Sequence, residues 1–430
     1  MKLKGSPQQG LFGATAAFFI GFAAVSLFGP TAKLLKDLMG LTPTMVGFLV
    51  AMPSLSGSLL RIPFAAWVDT TGGRKPILIL LAASVIGMAG LTVLITAFYP
   101  DGMTASLYPL LLILGMLCGC GIAVFSPGIG QVSYWFPQKQ QGAALGIYAG
   151  AGNLAPGIFS LLLPVALTSL GLDGSYMIWL ALLIVGAVLY YFTGKNAWYF
   201  QARQQGAQPE QARSLAQQQG QELFPANSTK ESLLLSARVW KTWILVAIYF
   251  TTFGGFIAMT SWLPTYWSSF FAVSAVTAGG LTALYSILCS LVRIAGGSIA
   301  DRMGGERTAV FSLFVTLIGA VIMSVSHDFG FSILGEIVMA LGMGVCNAAV
   351  FKIVPKEVPQ AVGGASGWIG GLGAFGGFAI PPILSAFVRA QGEAGYALGF
   401  VTYIALAFLS TAFAFFLIRS HARMTAPAVE

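Results

Sequence analysis

The sequence predicts an all-α membrane protein, with twelve transmembrane helices in two pseudo-symmetric six-helix halves. Three observations carry this: a composition too apolar for a water-facing surface, twelve apolar segments of spanning length, and a long-range internal repeat.

Of the 430 residues, 57% are hydrophobic and only 8% are charged, against about 25% charged in an ordinary soluble chain. Mean hydropathy is +0.82. The 53 glycines and 32 phenylalanines suit close helix packing in lipid. Soluble enzyme classes are excluded at this step. Cys118, Cys120, Cys289 and Cys346 all lie inside apolar runs, and the Cys118–Cys120 spacing is not that of a redox or zinc motif. The two histidines, His327 and His421, sit at segment ends. No metal cluster and no Ser-His-Asp arrangement can be assembled, so neither a cofactor nor an enzymatic activity is expected.

Breaking the chain at charge, proline and turn clusters gives apolar segments at 11–35, 44–68, 76–98, 106–135, 142–170, 175–193, 242–269, 275–299, 308–326, 330–354, 363–389 and 396–418. The polar stretch from Gly194 to Lys241, with its run Gln217-Gln218-Gln219, reads as a solvated cytoplasmic linker between halves 1–193 and 242–430. Twelve spans put both termini on one side. Placing them inside leaves 17 of the 22 Lys and Arg residues in cytoplasmic segments, with Lys33, Lys36 and Arg389 outside and Arg61 and Arg293 within the spans. The positive-inside rule therefore favours cytoplasmic termini. The net charge of +8 follows from that topology, not from nucleic-acid binding.

Two stretches match at long range. Arg61-Ile62 is followed by Asp69, Gly72-Gly73 and Arg74; Arg293-Ile294 is followed by Asp301, Gly304-Gly305 and Arg307. Gly142, Gly146, Gly150 and Gly152 recur as Gly363, Gly367, Gly371 and Gly373. The halves are thus parallel repeats of six spans. The turn Asp69-Thr70-Thr71-Gly72-Gly73-Arg74 resembles the loop 2–3 signature of the major facilitator superfamily, with its counterpart at Asp301 to Arg307. Glycine permits so short a turn, and an Asp at a helix end can pair with an arginine of the neighbouring loop. These residues point to gating rather than to substrate choice.

The substrate signal is the pair Arg61 and Arg293. Each lies eight residues before its Asp, about 12 Å along a helix, and so near the middle of a core about 30 Å thick. Insertion costs roughly 2.5–3.5 kcal/mol per central arginine. The one acid in a span away from a loop is Glu336, six residues past Gly330, where it is expected to snorkel to the outer surface; it is the candidate proton site. One carboxylate cannot neutralise two arginines on opposite halves, which calls for a bound anion. Two planar guanidinium forks suit a small planar oxyanion such as nitrate, nitrite or a carboxylate. At matching depth lie Tyr249 and Phe253 in span seven, Phe125 in span four and Asn153 in span five. Dense glycine runs around Gly150, Gly152 and Gly157 and around Gly371, Gly373 and Gly376, each near proline, suggest a paired gate of flexible helices.

Arginines in spans two and eight with glycine-rich spans five and eleven resemble the nitrate/nitrite porter family within that superfamily. The resemblance implies that Arg61 and Arg293 clamp the anion, that Tyr249 and Asn153 hydrogen-bond it, and that Phe125 and Phe253 sandwich it. It further implies alternating-access exchange of nitrate and nitrite in a bacterial cytoplasmic membrane. A monomer is expected to suffice. Span five departs from the family at Asn153-Leu154-Ala155-Pro156-Gly157, where a glycine is expected sooner after the leucine. Proton-coupled members tend to carry an acid in span one, and Phe18-Phe19-Ile20-Gly21-Phe22 has none. The alternatives are nitrate/proton symport and an oxalate/formate-type organic anion exchanger. An anion channel is disfavoured by the twofold repeat.

Overall fold

The computed structural model describes residues 3–225, 229–358 and 362–425, which among themselves hold helices and no strand. Eleven stretches are long and apolar enough to cross a bilayer. Spans one to four are Pro7–Met39, Pro43–Thr71, Arg74–Phe98 and Ala105–Trp135. The next, Ala143–Thr193, has 51 residues; a straight helix of that length would run about 77 Å, more than twice the hydrocarbon core. It is interrupted at Gly171, whose φ of 69° and ψ of −176° leave helix geometry. This stretch therefore supplies spans five and six. Spans seven to twelve are Trp240–Phe270, Ala275–Met303, Gly305–Val325, Phe329–Val354, Gly364–Gln391 and Ala394–Arg419, completing twelve crossings.

The helix starts carry local signals. Ser6, Thr42, Ser274 and Asp328 each accept from a main-chain N–H three residues on, and Pro7 and Pro43 occupy first-turn positions that need no N–H. Both copies of the repeated turn end their helix on a left-handed glycine, Gly72 at φ 77° and Gly304 at φ 86°. Asp301 pairs with Lys352 of span ten rather than with an arginine of the adjoining loop. Asp69 accepts from Tyr134 Oη of span four at 2.6 Å.

Regular helix geometry changes in five spans. Span one tightens at Ala23–Ser26 and span four at Cys120–Val124. Span five tightens at Leu154, whose N–H bonds the Ala151 carbonyl, whereas the i−4 ladder of span two continues through Leu60. Spans seven and eleven widen to π geometry at Phe250–Gly254 and Ile369–Gly373. Such irregular turns free main-chain carbonyls from the i−4 ladder and often mark functional sites.

The halves meet along two antiparallel seams. In one, Gly279 of span eight lies against the Ser160 carbonyl and Pro164 of span five. Gly157 then faces Ser286, Ser290 Oγ donates to the Asn153 carbonyl, and Gly150 faces Ile294. The next pair on these faces, Gly146 and Gly297, has no heavy atom near enough to touch an added Cβ. In the other seam Gly47 of span two abuts Ser385 and Pro381 of span eleven, Gly377 faces Ser54, and Gly371 faces Ile62. Lys33 Nζ adds a bond to the Ser268 carbonyl at 2.9 Å. Contact between spans five and eight is thus continuous toward the Lys33 face and stops short of the Asp69 face.

The stretch expected to be a solvated linker is instead partly built into the protein. It forms helices Trp198–Gln204, Pro209–Gln218 and Thr229–Ala237, with Trp198, Phe200 and Ala202 buried. Asn196 donates to the Thr71 carbonyl and accepts from the Arg74 N–H. Gln131 and Trp135 of span four both donate to the Lys195 carbonyl. The few apolar residues among its glutamines suffice to dock it beneath spans two and four.

Candidate functional site

Arg61 lies in the second half of span two and is fully buried. Its Nε donates to the Gly57 carbonyl at 3.1 Å, Nη1 to the Gly370 carbonyl at 3.1 Å and Nη2 to the Ile122 carbonyl at 3.5 Å. Gly57 lies one turn earlier, Ile122 in the tight turn of span four and Gly370 in the widened turn of span eleven. The irregular turns of spans four and eleven therefore supply two of the three oxygens that solvate this charge. The bond to Gly370 also joins the two halves. The arginine expected to rely on an anion thus already has three dipolar partners.

Arg293, on the unbroken helix of span eight, is met differently. Its Nη2 donates to Tyr249 Oη at 3.3 Å, and Nη1 is buried without a hydrogen-bond partner. The guanidinium carbon of each arginine sits 5.3 Å from the centroid of one ring, Phe253. Arg61 is also 4.8 Å from the Phe125 centroid. Cations over ring faces are attracted by the ring quadrupole. Tyr249 and Phe253 stack at 4.8 Å, with their planes 11° apart, and Phe125 stacks on Phe253 at 5.9 Å. Among the described residues the three ion pairs lie elsewhere, so neither arginine is matched to a carboxylate.

Asn153 reaches this cluster through span eight. Its carbonyl accepts from Ser290, one turn before Arg293, while its buried Oδ1 has no partner. The structure thus gathers Arg61, Arg293, Tyr249, Phe125, Phe253 and Asn153 at one depth. Of the glycines, Gly152 packs on the Phe18 ring, Gly373 on Tyr249, and Gly376 on the Phe250 carbonyl and Gly254. Gly150, Gly157 and Gly371 line the seams. Asp69, Arg74, Asp301 and Arg307 lie away from the cluster. Arg74 Nη2 donates to the Tyr191 carbonyl at 2.9 Å, and Arg307 lines a groove with Phe311 and Phe415.

Glu336 is a correction. It does not snorkel to the surface but is completely buried, with Oε2 accepting from Trp267 Nε1 at 2.7 Å and Oε1 unpartnered. Its position about two turns inside span ten puts it against Trp267 of span seven, which buries it instead of leaving it at the surface.

Several neighbours escape sequence reasoning. Phe22 of span one stacks on Phe253 at 6.3 Å with planes 3° apart. Tyr148 Oη donates to the Val124 and Phe125 carbonyls, which fixes the backbone beneath the Phe125 ring. A lone tyrosine within Gly146-Ile147-Tyr148-Ala149-Gly150 is the signal that could have found it; among 32 phenylalanines, Phe22 carries none.

The profile of the Major Facilitator Superfamily matches residues 14–381, and again 271–428. The chain is 29% identical over 410 residues to the "Probable nitrate/nitrite antiporter NarK1" of Thermus thermophilus, covering 89% of this chain and 85% of that one. It is 29% identical over 365 residues to the "Nitrite extrusion protein" of Bacillus subtilis, covering 85% and 83%. It is 26% identical over 385 residues to the "Probable nitrate transporter NarT" of Staphylococcus epidermidis, covering 87% of each. Among solved structures, the xylose transporter XylE from E. coli superposes with a TM-score of 0.72 at 14% identity, covering 96% of this chain and 99% of that one. A bacterial homologue of the lysosomal transporter Spinster gives 0.69 at 15%, covering 97% and 98%. Twelve helices in two repeated halves, the paired Asp-x-x-Gly-Gly turns and a profile match over most of its length place this chain in the Major Facilitator Superfamily, and it is a multi-pass membrane transporter.

Proposed function

We propose that the chain exchanges nitrate and nitrite across a bacterial cytoplasmic membrane by alternating access. One observation carries this reading: two arginines from opposite halves face the same phenylalanine ring without a carboxylate partner. The relatives' names support the choice of nitrogen oxyanions. A flat anion would insert between Phe125 and Phe253 once these rings part beyond the 5.9 Å that separates them here, within reach of both guanidinium forks and Tyr249. Halves 1–193 and 242–430 rock about this site, and 194–241 links them. With both termini inside, as the Lys and Arg distribution favours, the open end of the span five–eight seam faces the cytoplasm. The protein is then inward-facing.

Exchange follows from charge. An unloaded site brings two positive charges together in a low-dielectric interior, whereas one monovalent anion lowers the sum to +1 and bridges the halves. Reorientation is therefore favoured when loaded. A second reading, nitrate/proton symport, draws on the buried Glu336 carboxyl. The test is nitrate entry into proteoliposomes loaded with nitrite, compared with empty ones under an inward proton gradient. Exchange predicts uptake only into the loaded vesicles. Strong uptake into empty vesicles that collapses with an uncoupler would overturn it in favour of symport through Glu336.

A further inference from the structure

Asn347 plays no part in the site described above, yet the packing of span ten places it there. It is 2% exposed, and its Oδ1 has no hydrogen-bond partner. Burying an amide unpaired works against folding, so its retention needs a reason. Side chains four residues apart share a helix face. One turn before it, Met343 Sδ accepts from Tyr285 of span eight at 3.0 Å and lies beside Gly255 of span seven. One turn after it, Phe351 meets the Tyr249 ring edge-on at 5.1 Å. Three residues before it, Gly344 abuts the Cys289 carbonyl. Asn347 therefore faces the groove between spans seven and eight. Its depth lies between that of Gly255 and that of Tyr249, which is the depth of Phe253.

Arg293 Nη1 and Asn153 Oδ1 are likewise buried without a partner at this level. A carboxamide at this depth has N–H donors that an anion held on the Arg293 guanidinium can accept. Span ten is the repeat counterpart of span four, which supplies Phe125. We propose that Asn347 is a further anion-binding residue, contacting the anion held at Arg293; this rests on the nitrate/nitrite reading above.

The test uses the full-length chain in nitrite-loaded proteoliposomes, with wild type in parallel and each variant checked for a monodisperse elution profile. Asn347→Leu should raise the KM for nitrate about tenfold or more, with kcat within about twofold. Asn347→Asp keeps the shape but adds a carboxylate that competes for Arg293, so its KM should rise further than that of the leucine variant. An unchanged KM in Asn347→Asp, or a fall in kcat at unchanged KM in Asn347→Leu, would overturn the assignment. Failure of the wild-type chain to exchange nitrate would overturn the underlying reading instead, whatever the variants do.

Discussion

Replacing Arg61 by lysine removes a planar fork while keeping one positive charge, so it isolates the geometry of this arginine from its charge. An ammonium at the same place can satisfy one of the carbonyls of Gly57, Gly370 and Ile122, leaving two of the three bonds unmade. Hydrogen bonds to charged groups contribute about 1.5–3 kcal/mol each, so the protein loses roughly 3–6 kcal/mol before relaxation. The anion also loses one prong of a paired contact, about 1.5–3 kcal/mol, which corresponds to roughly a tenfold to 150-fold weaker affinity. Arg61→Lys should therefore lower both the thermal midpoint and nitrate affinity. Arg293 donates only to Tyr249 Oη, so Arg293→Lys should weaken affinity similarly while hardly lowering the midpoint. The assay pairs nitrate/nitrite exchange kinetics with thermal unfolding of the purified variants. Equal midpoints for the two variants, or an Arg61→Lys KM within about threefold of wild type, would refute the reasoning.

Asp69 accepts from Tyr134 at 2.6 Å, whereas the Asp301–Lys352 pair is more than half exposed on both sides and should contribute only about 0–1 kcal/mol. Asp69→Asn is thus expected to slow exchange several-fold, and Asp301→Asn by less than twofold, with nitrate binding retained in both; the reverse order would contradict the geometry. A methyl group on Gly152 would run into the Phe18 ring, itself 5.2 Å from Phe125. Gly152→Ala should therefore destabilise by about 1–3 kcal/mol and raise the KM, an outcome read by unfolding and uptake together. Cysteines at Gly146 and Gly297 occupy the pair where the span five–eight seam is open. They should cross-link only while anions are being exchanged, and a cross-link that ignores substrate would argue against closure at that end.

The sequence makes some features legible and hides others for physical reasons. Arg61 and Arg293 stand out because charge in an apolar run is costly, and the repeat fixes their symmetric placement. The spans follow from length and apolarity alone, and even the reversal at Gly171 falls where segments five and six were separated. What could not be read is where the arginines' partners lie. The carbonyls of Ile122 and Gly370 are exposed by tightened and widened turns, and no side-chain pattern announces a main-chain oxygen. Distance along a helix places Glu336 near the outer surface and says nothing about Trp267 on the neighbouring helix. A polar composition averages over Trp198 and Phe200, whose burial docks part of the linker.

The seam toward the Lys33 face brings glycines against main chain, as at Gly279 with the Ser160 carbonyl. A gate made of side chains can flicker open when a rotamer swings aside, on the picosecond-to-nanosecond scale. Backbone against backbone has no such part to move. It opens only when whole helices separate, a slower collective event. Stray ions therefore find no brief leak past this barrier, and a membrane holding many copies keeps its electrical potential. The expected signature is turnover without single-channel current, at any voltage the bilayer withstands.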